Sequence, residues 1–243
     1  MQLRVDVRRV WYGLGIVIGI LLVAHLLGMF SIFVLGHDHV FGLVPLFSLD
    51  GEGNVPAWFS AGLLLFAAQL LLLTALAERR AGKPWLEWMG LAVIFAFLSI
   101  DELAVIHERI GWFVGDLVGA EGLFREYGWV GVYLPLCVLL GVVYLRFLNR
   151  LPPRVRRGML VAALFYVGGA VGVEVAGSPF WGDTVMERGW PYLALVAVEE
   201  TMEMVGVVLF IRAILLYGAR SHLTIAIRER GAASDTVTPP PPG

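Results

Sequence analysis

Seven carboxylates and two histidines sit on otherwise apolar segments of this 243-residue chain, where apolar surroundings would amplify their chemistry. The stretch 97–111, Phe-Leu-Ser-Ile-Asp-Glu-Leu-Ala-Val-Ile-His-Glu-Arg-Ile-Gly, carries Asp101, Glu102, His107 and Glu108. Glu174 interrupts a second apolar run, Glu199, Glu200 and Glu203 a third, and His25 stands alone in a fourth. A carboxylate placed inside hydrocarbon costs at least roughly 3 kcal/mol on insertion scales, so it needs a proton, a cationic partner or a bound metal ion. Pairing is the weakest of the three, because only Arg109, Arg125 and Arg188 fall toward the same ends of these segments. Carboxylates with an imidazole suit Mg²⁺, Mn²⁺, Fe²⁺ or Zn²⁺ better than Cu⁺. The candidate metal ligands are therefore Asp101, Glu102, Glu174, Glu199, Glu200, Glu203, His25, His107 and Glu108.

Plainer readings stand beside these. His25, next to Leu26 and Leu27, suits a hydrogen-bonded packing histidine as well as a ligand. His107 with Glu108 suits the polar end of a helix at the membrane surface, and Glu102, about 100° around the helix from Asp101, can face a different neighbour. His37 and His39 flank Asp38 in a loop pattern, and Asp50 and Glu52 before Pro56 read as helix-start and loop acids. No histidine box, zinc-protease HExxH or GxGD pattern occurs, and His25 is the only histidine inside the bundle that could serve a haem. Cys137, the single cysteine, sits in an apolar run as core filler and cannot form an intrachain disulfide.

The elements that must position these residues are membrane spans. The chain is 58% hydrophobic and 16% charged, with a mean hydropathy of +0.79, outside the balance of soluble domains. Runs of about 20 apolar residues cover the hydrocarbon, and six qualify: 10–35, 57–77, 85–110, 129–148, 158–177 and 190–217. The fold expected is thus an all-α polytopic bundle of six transmembrane helices, one domain over residues 1–230, with a disordered Pro-rich tail at 231–243. The first run is too long for a signal-peptide core and reads as an uncleaved span. Arg4, Arg8, Arg9, Arg79, Arg80, Lys83, Arg146, Arg150, Arg154, Arg156, Arg157, Arg212, Arg220, Arg228 and Arg230 all fall on one side of these runs, which puts both termini in the cytoplasm. The opposite loops are acidic and rich in tryptophan, tyrosine and phenylalanine, as a headgroup belt would be; Trp85 and Trp88 read as belt residues of the basic side.

Helical rise converts sequence offset into depth. At 1.5 Å per residue, Asp101 stands roughly 20 Å above Trp88, Glu174 about 21 Å above Leu160, Glu199 about 14 Å below Trp190 and His25 about 22 Å above Val10. Four helices then bring their polar residues to one layer in the outer half, and Glu203 reaches nearer the midplane. Glu199 with Glu203, spaced i, i+4, and Glu200 with Glu203, spaced i, i+3, share a face. Glycines and alanines on the last two runs would let the helices close tightly around it.

The stretch 46–60, Leu-Phe-Ser-Leu-Asp-Gly-Glu-Gly-Asn-Val-Pro-Ala-Trp-Phe-Ser, followed by Phe-Leu-Ser-Ile-Asp-Glu with His107 and Glu108, resembles a class of uncharacterised bacterial multi-pass membrane proteins. The resemblance implies a bacterial inner-membrane setting and no particular activity. The residues themselves point first to binding of a divalent cation or protons for transport across the bilayer. The rival is a metal-dependent enzyme in the membrane, acting on a lipid or isoprenoid substrate, although no Glu-x-x-His pair of the dimetal-bundle kind occurs. A non-catalytic assembly subunit, with its acids protonated as hydrogen bonders, is the third. The net charge of −2 and the lack of any phosphate-cradling or zinc-finger pattern argue against nucleic acid as a partner.

Overall fold

The computed structural model describes residues 6–119, 127–180, 182 and 184–220. The expected tail at 231–243 and the aromatic loop residue Phe124 lie outside them. Within them the chain is helical, and every long helix begins or ends where the sequence supplies a reason. Helix α1 (Val7–Phe33) starts at Asp6, whose carboxylate accepts from the Arg8 N–H at 2.9 Å. A short α2 (Leu43–Leu46) lies in the loop that follows. Helix α3 (Val55–Arg80) is capped by Asn54, whose side chain accepts from the Ala57 N–H at 3.1 Å, with Pro56 in its first turn, where no N–H is needed. Helices α4 (Leu86–Ala104) and α5 (Ile106–Val118) follow, then α6 (Val130–Arg150) and α7 (Pro153–Val167). Pro152 and Pro153 separate the last two as their chemistry demands, Pro153 becoming the first residue of α7. A π-helical turn (Gly168–Val173) leads into the four-residue α8 (Glu174–Gly177). The final helix, α9 (Val185–Arg220), is kinked at Gly189, which adopts φ 69°, just before Pro191.

Helices α1, α3, α6 and α9, and the continuous helical run Pro153–Phe180 that joins α7 to α8, are long and apolar enough to cross a membrane, and a sixth span exists if α4 and α5 count as one. They do not form one straight helix, which is where the structure departs most from the expected span 85–110. The chain bends by 76° between them, at Val105, which adopts φ 53° and ψ 45°. For a β-branched residue that left-handed conformation is strained by about 1–2 kcal/mol. Val105→Gly should therefore raise thermal stability by about 1 kcal/mol if the bend is rigid; a fall in melting temperature would show that valine is not strained there.

Helix α9 is the centre of the bundle, packed on α7, α1 and α3, while α3 pairs with α4. On α3 a stripe of Ala57, Ala61, Leu64, Ala68, Leu71 and Ala75, alternating four and three apart, is buried within the bundle. Small residues bring the backbones close enough for Ser99 of α4 to donate to the Ala61 carbonyl at 2.8 Å. On α9, a side-chain β-carbon at Gly206 would lie 2.8 Å from the Tyr166 backbone nitrogen, so only glycine permits that crossing. Lipid tails are as apolar as leucine, so between membrane helices it is this close contact that holds them together. Trp88, expected at a headgroup belt, is instead a core residue, 2% exposed, with its ring against Phe147 and Tyr217. Helix α6 is the outlier, with only 6% of its most apolar 18-residue stretch buried. It meets α4 near its C-terminus, where the Tyr144 hydroxyl donates to the Glu87 carbonyl at 3.1 Å and Arg150 pairs with Glu87.

Candidate functional site

Asp101 lies in the last turn of α4, 6% exposed. The bend at Val105 returns the chain over it, so the His107 backbone N–H donates to Asp101 Oδ1 at 2.8 Å. The His107 Nδ1 stands 3.4 Å from the same oxygen. Asp101 thus serves as an N-terminal anchor for α5, where the aligned peptide dipoles favour a negative charge. Around the pair is an aromatic wall. The His107 ring is 5.3 Å from Trp129 and 6.5 Å from Tyr133, edge to face. Trp129, read from sequence as a belt residue, is 5% exposed and donates its indole N–H to Glu174 Oε1 at 3.3 Å. The hydroxyl oxygen of Tyr133, buried beside Asp101, makes no hydrogen bond of ordinary geometry.

Glu174 reaches Trp129 because of the π turn before it. Its N–H turns back to the Gly169 carbonyl, five residues earlier instead of four, which rotates everything that follows relative to a plain α-helix. Gly169 also lets α9 approach: a β-carbon there would come within 2.9 Å of the Glu199 carbonyl and 3.1 Å of Glu203 Cγ. The three acids of α9 are thereby set against the turn. Glu200 lies within electrostatic reach of Glu102 and Glu199, and Glu203 of Glu200, Glu102, Glu199 and Glu174. Glu102 itself turns to the Ser60 hydroxyl of α3. Glu199, Glu200, Glu203 and Glu102 are surrounded by protein, yet each keeps part of its surface accessible. The four carboxyls thus form one mutually interacting group spread over α4 and α9.

His25 is placed differently. Its Nδ1 accepts the Leu49 N–H at 3.0 Å, and its Nε2 lies 3.3 Å from the Leu193 carbonyl, so the ring is a neutral Nε2–H tautomer joining α1, the 34–54 loop and α9. Both nitrogens are committed to backbone.

Two loop acids complete the rim. Glu52 feels Glu102, Glu108 and Asp101, and Asp50 feels Glu108. Arg188 closes over this edge: its Nη1 is 3.4 Å from Asp50 Oδ2, its Nε donates to the Gly182 carbonyl at 2.6 Å, and its guanidinium lies 5.0 Å above the Tyr192 ring. Burial pushes the Asp50 carboxyl up while Arg188 pulls the other way. Burial and then Glu102 push Glu52 up to about 7, against the pull of His107. A folded-state value above the unfolded one means that the folded chain binds more protons between the two. Its stabilising effect is thus complete at low pH and fades as pH rises through about 7. Glu52 is itself exposed, so solvent screening holds the effect to no more than about 1 kcal/mol. Glu52→Gln should flatten the fall in melting temperature between mildly acidic and neutral pH; an unchanged profile would remove Glu52 from the rim.

Among the described residues, the cations that reach these acids are His107 and Arg188, both at the rim. No three His, Cys, Asp or Glu side chains among them converge closely enough to share one metal ion. Sequence reasoning placed His25, Asp101, Glu102, Glu174, Glu199 and Glu200 in one layer by depth, with Glu203 deeper and His107 and Glu108 at its mouth; in the structure Glu203 lies within electrostatic reach of Glu102, Glu174, Glu199 and Glu200, while His25 is held by Leu49 and Leu193 instead. That reasoning missed Trp129, Tyr133, Ser60 and Tyr166, all of which face the acids. The aromatic pair Trp129 and Tyr133, spaced i, i+4, was the available signal for α6.

Fold and site together define an all-helical membrane protein with several long apolar helices around a group of carboxylates. Residues 8–217 match a family described as Domain of unknown function (DUF8692), and the chain belongs to that family. No curated protein and no solved structure matches the chain.

Proposed function

We propose that this chain is a six-span protein of a bacterial inner membrane, with both termini in the cytoplasm, that takes up cations into its carboxylate layer from the outer face as part of transport. The observation that carries this is the group of mutually close carboxyls Glu102, Glu199, Glu200 and Glu203, on which no arginine or lysine of the described residues acts. Acids so placed need protons or a bound cation. As the side chains stand, protons are the better occupants, since a divalent ion such as Mg²⁺, Mn²⁺, Fe²⁺ or Zn²⁺ would require two or more carboxyls to rotate toward each other. The one-sided arginines support the orientation.

Purified protein in liposomes carrying a pH-sensitive dye, and separately a Mn²⁺-quenched dye, tests the reading. Asp101→Asn is a clean variant because its amide oxygen can still accept the His107 N–H that starts α5. Asp101→Asn and Glu199→Gln should each abolish flux while inserting normally. Full flux in both variants, or none in the unmodified protein under any gradient, would sink the proposal.

A second reading, an enzyme acting on a lipid or isoprenoid, is favoured by the Tyr133 hydroxyl, buried beside Asp101 on the thinly packed α6 without a hydrogen bond of ordinary geometry. Liposomes that show no flux but turn over an added lipid, with turnover lost in Tyr133→Phe, would select it.

A further inference from the structure

At the arginine-rich end of the bundle, far from the acids, the C-terminal part of α6 and the first turn of α4 enclose an open hollow of about 700 Å³, lined by Glu87, Val143, Arg146, Phe147, Asn149 and Arg150. We propose that it binds the phosphate headgroup of an anionic phospholipid, whose acyl chains run along the uncovered length of α6. Three observations support this. The lining is divided as a lipid is divided: Arg146, Asn149 and Arg150 offer donors on one side, while Val143 and Phe147 form an apolar wall. The charges favour an anion, because two guanidiniums face one carboxylate. Among the described residues Glu87 pairs with Arg150, and Arg146 has no ion-pair partner. The apolar wall also continues into hydrocarbon, since Val143, Val142, Leu139 and Val138 are each about three-fifths exposed, at 63, 60, 58 and 61%. Arginine suits a phosphate because its planar fork can donate two parallel N–H bonds. Arg154 and Arg157, exposed on the first turn of α7, add to the positive field without lining the hollow.

The occupant is specified as a lipid because a free phosphate would use the arginines and leave the apolar wall bare. The full chain, purified in a neutral detergent and mixed with phosphatidylglycerol and phosphatidylcholine in equal amounts, should retain phosphatidylglycerol preferentially when analysed by native mass spectrometry. Arg146→Gln should lower that retention by about fivefold to tenfold. Glu87→Gln should raise it by a few-fold, because it frees the Arg150 guanidinium. Arg109→Gln, exposed at the opposite end, should leave it unchanged. Both changes at the hollow fall on polar side chains at a helix end and leave the core intact, and the increase with Glu87→Gln could not come from misfolding. Equal retention of the two lipids, equal losses in Arg146→Gln and Arg109→Gln, or a decrease in Glu87→Gln would each overturn the proposal. Displacement of phosphatidylglycerol by inorganic phosphate would overturn the assignment to a lipid.

Discussion

Glu203→Met is expected to leave the protein more stable and inactive at once. Glu203 lies one turn deeper along α9 than Glu199 and Glu200, within reach of those two acids, Glu102 and Glu174. Tyr166 is its other close neighbour. Desolvation and like charge both act against its carboxylate, and an apolar side chain of similar length removes that burden, so the melting temperature should rise. A residue kept at that cost, in a chain free to use methionine as it does at Met202 and Met204, is kept for what it does. Thermal unfolding in detergent should show the gain, and dye-loaded liposomes the loss of flux. A lower melting temperature would instead mark Glu203 as a protonated hydrogen bonder that holds α7 to α9, the behaviour of an assembly subunit.

The opposite signature is expected at His25. His25→Leu removes the acceptor of the Leu49 N–H and the donor to the Leu193 carbonyl, and Leu49 and Leu193 are 4% and 3% exposed. The Leu193 carbonyl keeps its partner within α9, but the Leu49 N–H is left unsatisfied in a dry setting, so a loss of about 1–3 kcal/mol should appear in thermal or denaturant unfolding. The loop that carries Asp50 and Glu52 is fixed to the bundle through this ring. The pH dependence assigned to Glu52 should therefore weaken in the same variant. Retained stability in His25→Leu would return the imidazole to the list of possible ligands.

What the sequence disclosed follows from the physics that the membrane imposes. Helices must satisfy their own backbone in lipid, so apolar runs of the right length are unambiguous, and α1, α3 and α6 lie within a few residues of the expected spans. Depth is linear in sequence along a helix, and for that reason Asp101, Glu174 and Glu199 could be aligned from residue numbers alone. The features that stayed hidden are those where the backbone departs from that linearity. Nothing in Leu-Ala-Val-Ile-His says that Val105 will turn left-handed, and the bend is what brings His107 back to Asp101. Loops carry no periodicity, so Glu52 could be placed near the acids only through His25, whose partners are backbone atoms that no side-chain pattern announces. Trp129 was misassigned to a belt because tryptophan at a helix start serves either the headgroups or a buried acceptor, and the acceptor is on a distant segment.

The π turn at Gly168–Val173 carries a consequence for how this family can diverge. A π turn is an α-helix with one residue too many, so loss of a single codon within it would restore regular hydrogen bonding and cost the fold little. The same loss would swing Glu174 by about 100° around the helix axis, away from Trp129. Descendants with a one-residue gap there should therefore lack an acid at the position of Glu174, or have given up the activity of the layer. The spacing from Gly169 to Glu174 is therefore a character to read first when members of the family are compared.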